Sequence, residues 1–330
     1  MEKPFRWCFI GTGTLAEVVT KTILPSGRHV ISAVYSRRFE KAQAFAKKHG
    51  AVAYETAAEA ISAPEVDAVY VVTPHNSHYE YTKLALSLGK PVLCEKAFTT
   101  DAKQAKELID LSREKQLYLA EAMWTWFSPV AWQVKKWLDD GEYGTVQKVS
   151  ACYHMKSKNY APRVSDPKLA GGALLDVGVY PITYLYRLFG KPVSIRCSGV
   201  VAGGIDEQEE VELTFPGGQS FVASASIVDF KGLEHFSLQG EKAKTSLWFY
   251  HGANKVKLKR RHGKNETFKA KGGYLNEFDC VAREIQEGLT ESRPMPLSAT
   301  LDVMEIMDEC RRQMGLVYPF ERGDERDAKD

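Results

Sequence analysis

An apolar run, Phe5-Arg-Trp-Cys-Phe-Ile10, leads directly into Gly11-Thr12-Gly13-Thr14-Leu15-Ala16, and an amphipathic stretch follows to Leu24. A strand, a glycine-rich turn and a helix in immediate succession constrain the chain to open as a βαβ unit with a parallel sheet. Gly11 permits the tight turn, and Gly13 lets the backbone approach a pyrophosphate. Ala16 stands where a third glycine usually packs helix against strand. The free N–H groups and the dipole of the new helix favour an anion there. Gly11, Thr12, Gly13, Thr14, Leu15 and Ala16 are therefore the first candidate nucleotide-binding residues.

At 330 residues the chain exceeds one typical domain, which predicts two. Early on, short apolar runs alternate with amphipathic stretches. Strands are predicted at Arg6 to Ile10, Val30 to Tyr35, Ala51 to Tyr54, Ala68 to Val72, Pro91 to Cys94 and Leu117 to Leu119. Helices are predicted at Leu15 to Leu24, Phe39 to His49, Ala57 to Ile61, Ser77 to Leu88 and Asp101 to Glu114. Six strands complete a doubly wound Rossmann domain over residues 1–122. After Ser128-Pro129 the grammar changes to a helix at Val130 to Leu138, a strand at Val146 to His154 and a helix at Asp176 to Leu188. Closely spaced strands then run from Ser194 to Lys259, with turns such as Pro216-Gly217-Gly218, before helices at Tyr274 to Glu287 and Ala299 to Met314. Strands in series predict a second α/β domain, 123–330, with a large, mostly antiparallel open sheet. Its C-terminal helix can pack back on the first domain.

Composition narrows the partners. The chain is 44% apolar and 26% charged, and 44 basic against 42 acidic residues leave +2, which predicts an ordered chain with no nucleic-acid partner. Basic residues from Lys255 to His262 alternate with Val256 and Leu258, as in a half-exposed strand. Cys8, Cys94, Cys152, Cys197, Cys280 and Cys310 are scattered, which fits reduced thiols and no structural zinc. Cys94 lies on a predicted buried strand and reads as an inert core thiol. With no run of about 20 apolar residues and no signal segment, the expectation is a soluble, cytoplasmic protein without a membrane partner. The charged end from Glu321 to Asp330 is expected to fray.

In a dinucleotide fold an acidic residue at the end of the second strand holds the 2′-hydroxyl of NAD. From Val18 to Phe39 there is no Asp or Glu, and the strand ends in Ser36-Arg37-Arg38. A hydroxyl and two guanidinium groups suit a 2′-phosphate, so NADP(H) is expected and NAD(H) less so.

The fourth predicted strand ends in Thr73-Pro74-His75-Asn76-Ser77-His78 and the fifth in Cys94-Glu95-Lys96-Ala97-Phe98, both at the carboxyl edge where ligands bind. Downstream stands Gly171-Gly-Ala-Leu-Leu-Asp176-Val-Gly178-Val-Tyr180. Together with the first glycine turn, these segments resemble the Gfo/Idh/MocA oxidoreductases, the family of glucose-fructose oxidoreductase and inositol dehydrogenase. That family is marked by an early G-x-G-x-x-[GA], a T-P-x-x-x-H turn, an E-K-P segment and a G-G-x-x-x-D-x-G-x-[HY] segment. Ala97 in place of proline is the one departure, and it leaves Lys96 intact. Tyr180, the Glu121-Ala-Met-Trp124 segment and the stretch Met307 to Pro319 are most similar to the dimeric dihydrodiol dehydrogenases and related sugar oxidoreductases. The resemblance implies a cofactor bordered by Thr73, Pro74, His75, His78, Glu95 and Lys96. It also implies a homodimer or larger homo-oligomer built on one face of the second sheet. The implied small-molecule substrate is a cyclic polyol, a sugar or its ketone, or a trans-dihydrodiol.

Hydride transfer at a carbinol needs a group that takes or returns the hydroxyl proton. Tyr180 fits that role once Lys96 favours its phenolate. Asp176 lies four residues earlier, and on one helix the two side chains share a face and reach neighbouring oxygens of a polyhydroxylated substrate. Read without the family pattern, Asp176 is a helix N-cap and Tyr180 an ordinary half-buried aromatic. Trp124 and His154 are further substrate-contact candidates, with Asn159, Tyr160 and Arg163 shaping the same end. His75-x-x-His78 has metal-ligand spacing without a further ligand set, so no metal is expected. Two alternatives share the fold: a non-catalytic NADP-binding sensor, and a sugar–sugar oxidoreductase with tightly held cofactor.

Overall fold

The computed structural model describes residues 3–159, 161–231 and 233–322. Tyr160 and residues 323–330 of the end expected to fray lie outside them. The chain forms two compact units, Met1–Phe127 with Gly273–Leu301, and Ser128–Gly272 with Asp302–Asp330. Set beside the expected spans 1–122 and 123–330, the first unit also takes in 123–127 and 273–301.

The first unit runs β1 (Phe5–Ile10), α1 (Thr14–Ile23), β2 (His29–Tyr35), α2 (Phe39–His49), β3 (Val52–Ala53), α3 (Ala57–Ser62), β4 (Ala68–Val71), α4 (His78–Ser87), β5 (Val92–Glu95), α5 (Ala102–Lys115) and β6 (Leu119–Ala122). Its sheet is parallel throughout, in the order β3-β2-β1-β4-β5-β6. Trp7, Cys8, Phe9 and Ile10 are fully buried, as a central strand covered on both faces requires. The order reverses at β1 and β4, so the turns after these strands diverge and leave a crevice at their carboxyl ends. Gly11 adopts φ +114°, and a Cβ there would stand 2.6 Å from the Val72 carbonyl oxygen. The turn needs glycine for both reasons. Thr56 and Asp101 cap α3 and α5, accepting from the backbone N–H groups of Glu59 and Gln104.

β6 begins two residues later than expected. Gln116 is left-handed at φ 53° and Leu117 N still donates to Ser112 O, so the chain is leaving α5 where the apolar run suggests a strand.

The second unit runs α6 (Pro129–Asp139), β7 (Val146–His154), the one-turn α7 (Pro162–Ser165), α8 (Val179–Phe189), β8 (Ser194–Ala202), β9 (Ile205–Thr214), β10 (Ser220–Ser226), β11 (Glu234–Gly240), β12 (Ala243–Trp248), β13 (Lys255–Arg260) and β14 (Glu266–Lys269). Its sheet has the order β14-β13-β12-β11-β7-β10-β9-β8. Only the β7–β10 pairing is parallel among the described residues, which makes the sheet mostly antiparallel as expected. β13 alternates buried Val256 and Leu258 with exposed lysines. α9 (Tyr274–Gln286) belongs to the first unit, where Phe278 packs edge-on against Trp7 at 4.8 Å and Tyr70 at 5.1 Å. α10 (Leu297–Met314) closes the helical order.

The helix expected from Asp176 to Leu188 is composite. Leu174–Gly178 form a π-helical turn and α8 starts only at Val179. Asp176 therefore sits in the π turn ahead of the α-helix, and it is not an N-cap.

Gly11→Ala is expected to destabilise the first unit by about 2 kcal/mol or more, since the added methyl meets backbone in a left-handed conformation. A thermal melt of the variant checks this; an unchanged midpoint contradicts it.

Candidate functional site

At the carboxyl ends of β1, β2 and β4, within the first unit, lies a cavity of about 540 Å³. Gly11, Thr12, Gly13, Ser36, Arg37, Arg38, Thr73 and Pro74 line it, as the sequence suggests. Tyr35, Lys41, Val72, Ser77 and Tyr81 also line it and were not anticipated. Lys41 stands on the first turn of α2, where nothing local shows which way its side chain faces. No carboxylate lines the cavity among the described residues, while three cationic side chains do.

The remaining expected cofactor residues lie elsewhere. Thr14 and Leu15 open α1, and Ala16 is fully buried at the helix contact foreseen for it. His78 is withdrawn into structure: Nδ1 lies 2.9 Å from Ala97 O and Nε2 2.8 Å from Thr73 O. Burial pushes its imidazole down against the pull of those carbonyls. His78 thus ties the turn after β4 to the turn after β5 and is not part of the cavity wall. His75 is buried with its ring perpendicular to that of His78 at 5.7 Å. Glu95 is also buried, accepting from the Tyr70 hydroxyl at 2.5 Å and from Lys96 N at 3.2 Å. It orders the start of the turn, where Lys96 is half-buried and the Lys96–Ala97 peptide is cis. Trp124 is packed at 4.9 Å against Tyr274 of α9. Cys94 is buried and its thiol is pushed up by desolvation; none of the six cysteines is in a disulfide.

A second constellation lies within the second unit. Asp176, nearly buried, accepts from Arg163 Nη1 at 2.6 Å. Tyr180 on α8 is flanked by Tyr153 of β7 at 5.5 Å and by His251 at 6.1 Å, and Tyr153 and His251 stack on each other. Glu234 at the head of β11 fixes His251 by accepting from its backbone N–H at 2.6 Å and pairing with its Nδ1. His154, expected among the substrate contacts, is not brought to this cluster: it follows Tyr153 on β7 and so lies on the opposite face of the sheet, with Nε2 at 3.0 Å from Ser224 Oγ and Nδ1 at 3.3 Å from Asp229. Asp176, Tyr180 and Arg163 were foreseen here; Tyr153, Glu234 and His251 were not, and no local motif marks them. Among the described residues no group of three or more His, Cys, Asp and Glu side chains is arranged to hold a metal, and no helix is long and apolar enough to cross a membrane.

Comparison with known proteins decides the family. The family model for GFO/IDH/MocA oxidoreductases, described as NAD-binding Rossmann fold, matches residues 5–122, and that of the GFO/IDH/MocA C-terminal domain matches residues 131–246. The chain belongs to the GFO/IDH/MocA oxidoreductase family. It is 31% identical to the D-xylose 1-dehydrogenase (NADP(+)) of Hypocrea jecorina, over 95% of this chain and 93% of that protein. It is likewise 31% identical to the scyllo-inositol 2-dehydrogenase (NADP(+)) of Bacillus subtilis, over 96% and 99% of the two chains. The trans-1,2-dihydrobenzene-1,2-diol dehydrogenase of Mus musculus is also 31% identical, over 96% and 99%. In fold the chain is similar to a 3-ketoreductase from Actinomadura kijaniata solved with NADP and TDP-benzene, with a TM-score of 0.85 at 24% identity over 94% of this chain and 98% of that one.

In this family member, the core of the Rossmann unit holds three mutually interacting carboxyls, apart from Glu284, which accepts from Tyr118. Glu95, Glu121 and Glu277 are each at most 2% exposed, from β5, β6 and α9. Burial is the chief cause that pushes Glu121 up to about 7, with Glu95 adding to it, and Glu277 is pushed well above the carboxylate range by burial and by both neighbours. Glu121 therefore binds a proton in the folded state that the unfolded chain has released, and stability falls as pH rises from about 4.5 through about 7. Glu121→Gln is expected to raise the melting midpoint at about pH 8, by up to about 3 kcal/mol of stability, with the difference gone near pH 4. Equal gains at both pH values would contradict an ionisation origin.

Proposed function

We propose that the chain is an NADP(H)-dependent dehydrogenase acting on a carbinol, or the matching ketone, of a cyclic polyol, sugar or trans-dihydrodiol. The observation that carries this reading is the cavity of the first unit. Its wall combines a glycine turn suited to a pyrophosphate with Ser36, Arg37, Arg38 and Lys41, and no carboxylate among the described residues. NAD recognition wants an acceptor for the 2′-hydroxyl, whereas a 2′-phosphate wants cations and hydroxyl donors, and this wall offers the second set. The printed activities of the xylose and inositol dehydrogenase relatives, both NADP(+), support the same cofactor.

When bound, the nicotinamide supplies or accepts the hydride. The chain's own residues handle the proton and the substrate. Tyr180 takes the hydroxyl proton during oxidation and returns it during reduction, and the Lys96 ammonium favours the phenolate that makes this feasible at neutral pH. Asp176, held by Arg163, accepts from a neighbouring substrate hydroxyl. Trp124 contacts the substrate ring, and His75 with Glu95 keeps the turns that present the nicotinamide end in shape. On this reading the protein works as a soluble, cytoplasmic homodimer or larger homo-oligomer.

NADPH absorbance with a panel of cyclic diols, aldoses, ketoses and dicarbonyls tests the reading. Tyr180→Phe is expected to lower kcat by about 10²- to 10⁴-fold while NADPH affinity is kept. Near-normal turnover of that variant would remove Tyr180 from the chemistry, and no turnover by the wild type across the panel would favour a sensor.

Arg37→Ala and Lys41→Ala are each expected to weaken NADPH binding by roughly tenfold, about 1.4 kcal/mol, with NADH binding little changed. Fluorescence titration reads both, and wild-type NADH affinity equal to that for NADPH would sink the cofactor assignment.

A further inference from the structure

β8 and β9 lose register next to the second constellation: Val200 faces Gln208, but Val201 faces Asp206. Glu207 is thus the extra residue of a β-bulge, and a bulge re-aims side chains. Here it leaves Asp206 and Glu209, three apart in sequence, both buried. Both meet the glycine-rich segment that leads to Tyr180. Asp206 Oδ2 accepts from Leu174 N at 2.5 Å and so caps the π-helical turn. Its Oδ1 occupies the space a Cβ on Gly172 would need, and Glu209 Oε1 occupies the space a Cβ on Gly178 would need. The two carboxyls therefore grip the two ends of the turn that carries Asp176, directly ahead of Tyr180.

We infer that Asp206 and Glu209 are positioning residues, a carboxyl clamp that holds the Gly172–Gly178 turn in its π-helical form and thereby sets Asp176 and Tyr180. The clamp rests on the proposed roles of those two residues. The titratable groups facing it are Cys197 of β8, Cys310 of α10 and Tyr318. Burial, reinforced by Asp206, pushes the Glu209 carboxyl well up, which keeps it protonated beside its partner. Burial also raises Asp206, against the backbone N–H groups of Leu174 and Ala173 that favour its charge. The backbone donors that favour a carboxylate are at Asp206, and the acid of Glu209 sits against Gly178. An apolar side chain in place of Asp206 would leave Leu174 N without its acceptor, and charges on both carboxyls would repel.

The test combines conservative variants with a double-mutant cycle. Asp206→Ala is expected to lower kcat about 10- to 100-fold while the KM for NADPH is unchanged, the scale of a misplaced catalytic group. Asp206→Asn, which still offers an oxygen to Leu174 N, is expected to recover most of that loss. Glu209→Gln is expected to stay within about threefold of wild type. Gly178→Ala is expected to cost far more in the wild type than in a Glu209→Ala background, in both turnover and melting midpoint, because the obstructing carboxyl is gone. A folded Asp206→Ala protein with kcat within about twofold of wild type would overturn the clamp, as would a Gly178→Ala penalty independent of Glu209. If Asp206→Ala does not fold, the Gly178–Glu209 cycle decides alone. Turnover surviving Tyr180→Phe would instead remove the acid–base reading, while coupling between Gly178 and Glu209 in thermal melts would still report the clamp.

Discussion

The first unit depends on a small set of backbone contacts around Gly11. Gly11 N donates to Tyr35 O at 2.9 Å while its Cα presses toward the Val72 carbonyl, and Val72 N donates to Ile10 O at 2.9 Å. Through these contacts the ends of β2, β1 and β4 are locked together where the strand order reverses. The two outer turns must then part, one toward Arg37 and one toward Thr73, and the cavity is the space between them. A side chain at residue 11 would push the first turn off β4, so the site's shape follows from an absent methyl group rather than from an added contact.

The same logic recurs in the second unit with a different purpose. Gly172 and Gly178 are glycines because carboxyls of β9 occupy the space their side chains would need. The G-G-x-x-x-D-x-G segment therefore records a packing demand from a strand some thirty residues downstream as well as any demand of the substrate. A π-helical turn is a poor structure on local terms and persists where other elements over-determine it. Here Asp206 supplies its cap and Arg163 holds its aspartate.

Much of this architecture is legible in the sequence because parallel strands buried on both faces read as short apolar runs that need no partner to be recognised. β1, β2, β4 and β5 fall within two residues of their expected places at either end. β6 slips because Leu117 and Tyr118 are as apolar as the strand, and the left-handed Gln116 that delays it has no signature in composition. Residues at strand ends, such as Arg37 and Thr73, are visible for the same reason as the strands. Lys41 and Tyr81 are not, since a helix residue reveals which way it faces only when the helix is docked. His78 looks like a ligand until its two ring nitrogens are found against backbone carbonyls. Glu234 and His251, seventeen residues apart, meet only because β11 and β12 form a hairpin that brings the turn after β12 back to the head of β11. The π turn fails to show in the sequence because its cause lies in a bulge elsewhere.

Each unit, finally, buries carboxyls near the residues expected to do chemistry: Glu95, Glu121 and Glu277 in the first, Asp206 and Glu209 in the second. Such groups lower stability unless protonated or well bonded, and an apolar core would fold more favourably. What they provide is acceptors in places an apolar residue leaves empty: Glu95 for Lys96 N at the start of one turn, Asp206 for Leu174 N at the start of another. In both units the sacrificed stability is spent at the backbone immediately before a candidate catalytic side chain, Lys96 in one and Tyr180 in the other. Misplacement by about 1 Å is costly for a group that must meet a reacting atom. A rigid turn with a buried polar anchor is thus worth more to this chain than the folding energy a hydrophobic replacement would return.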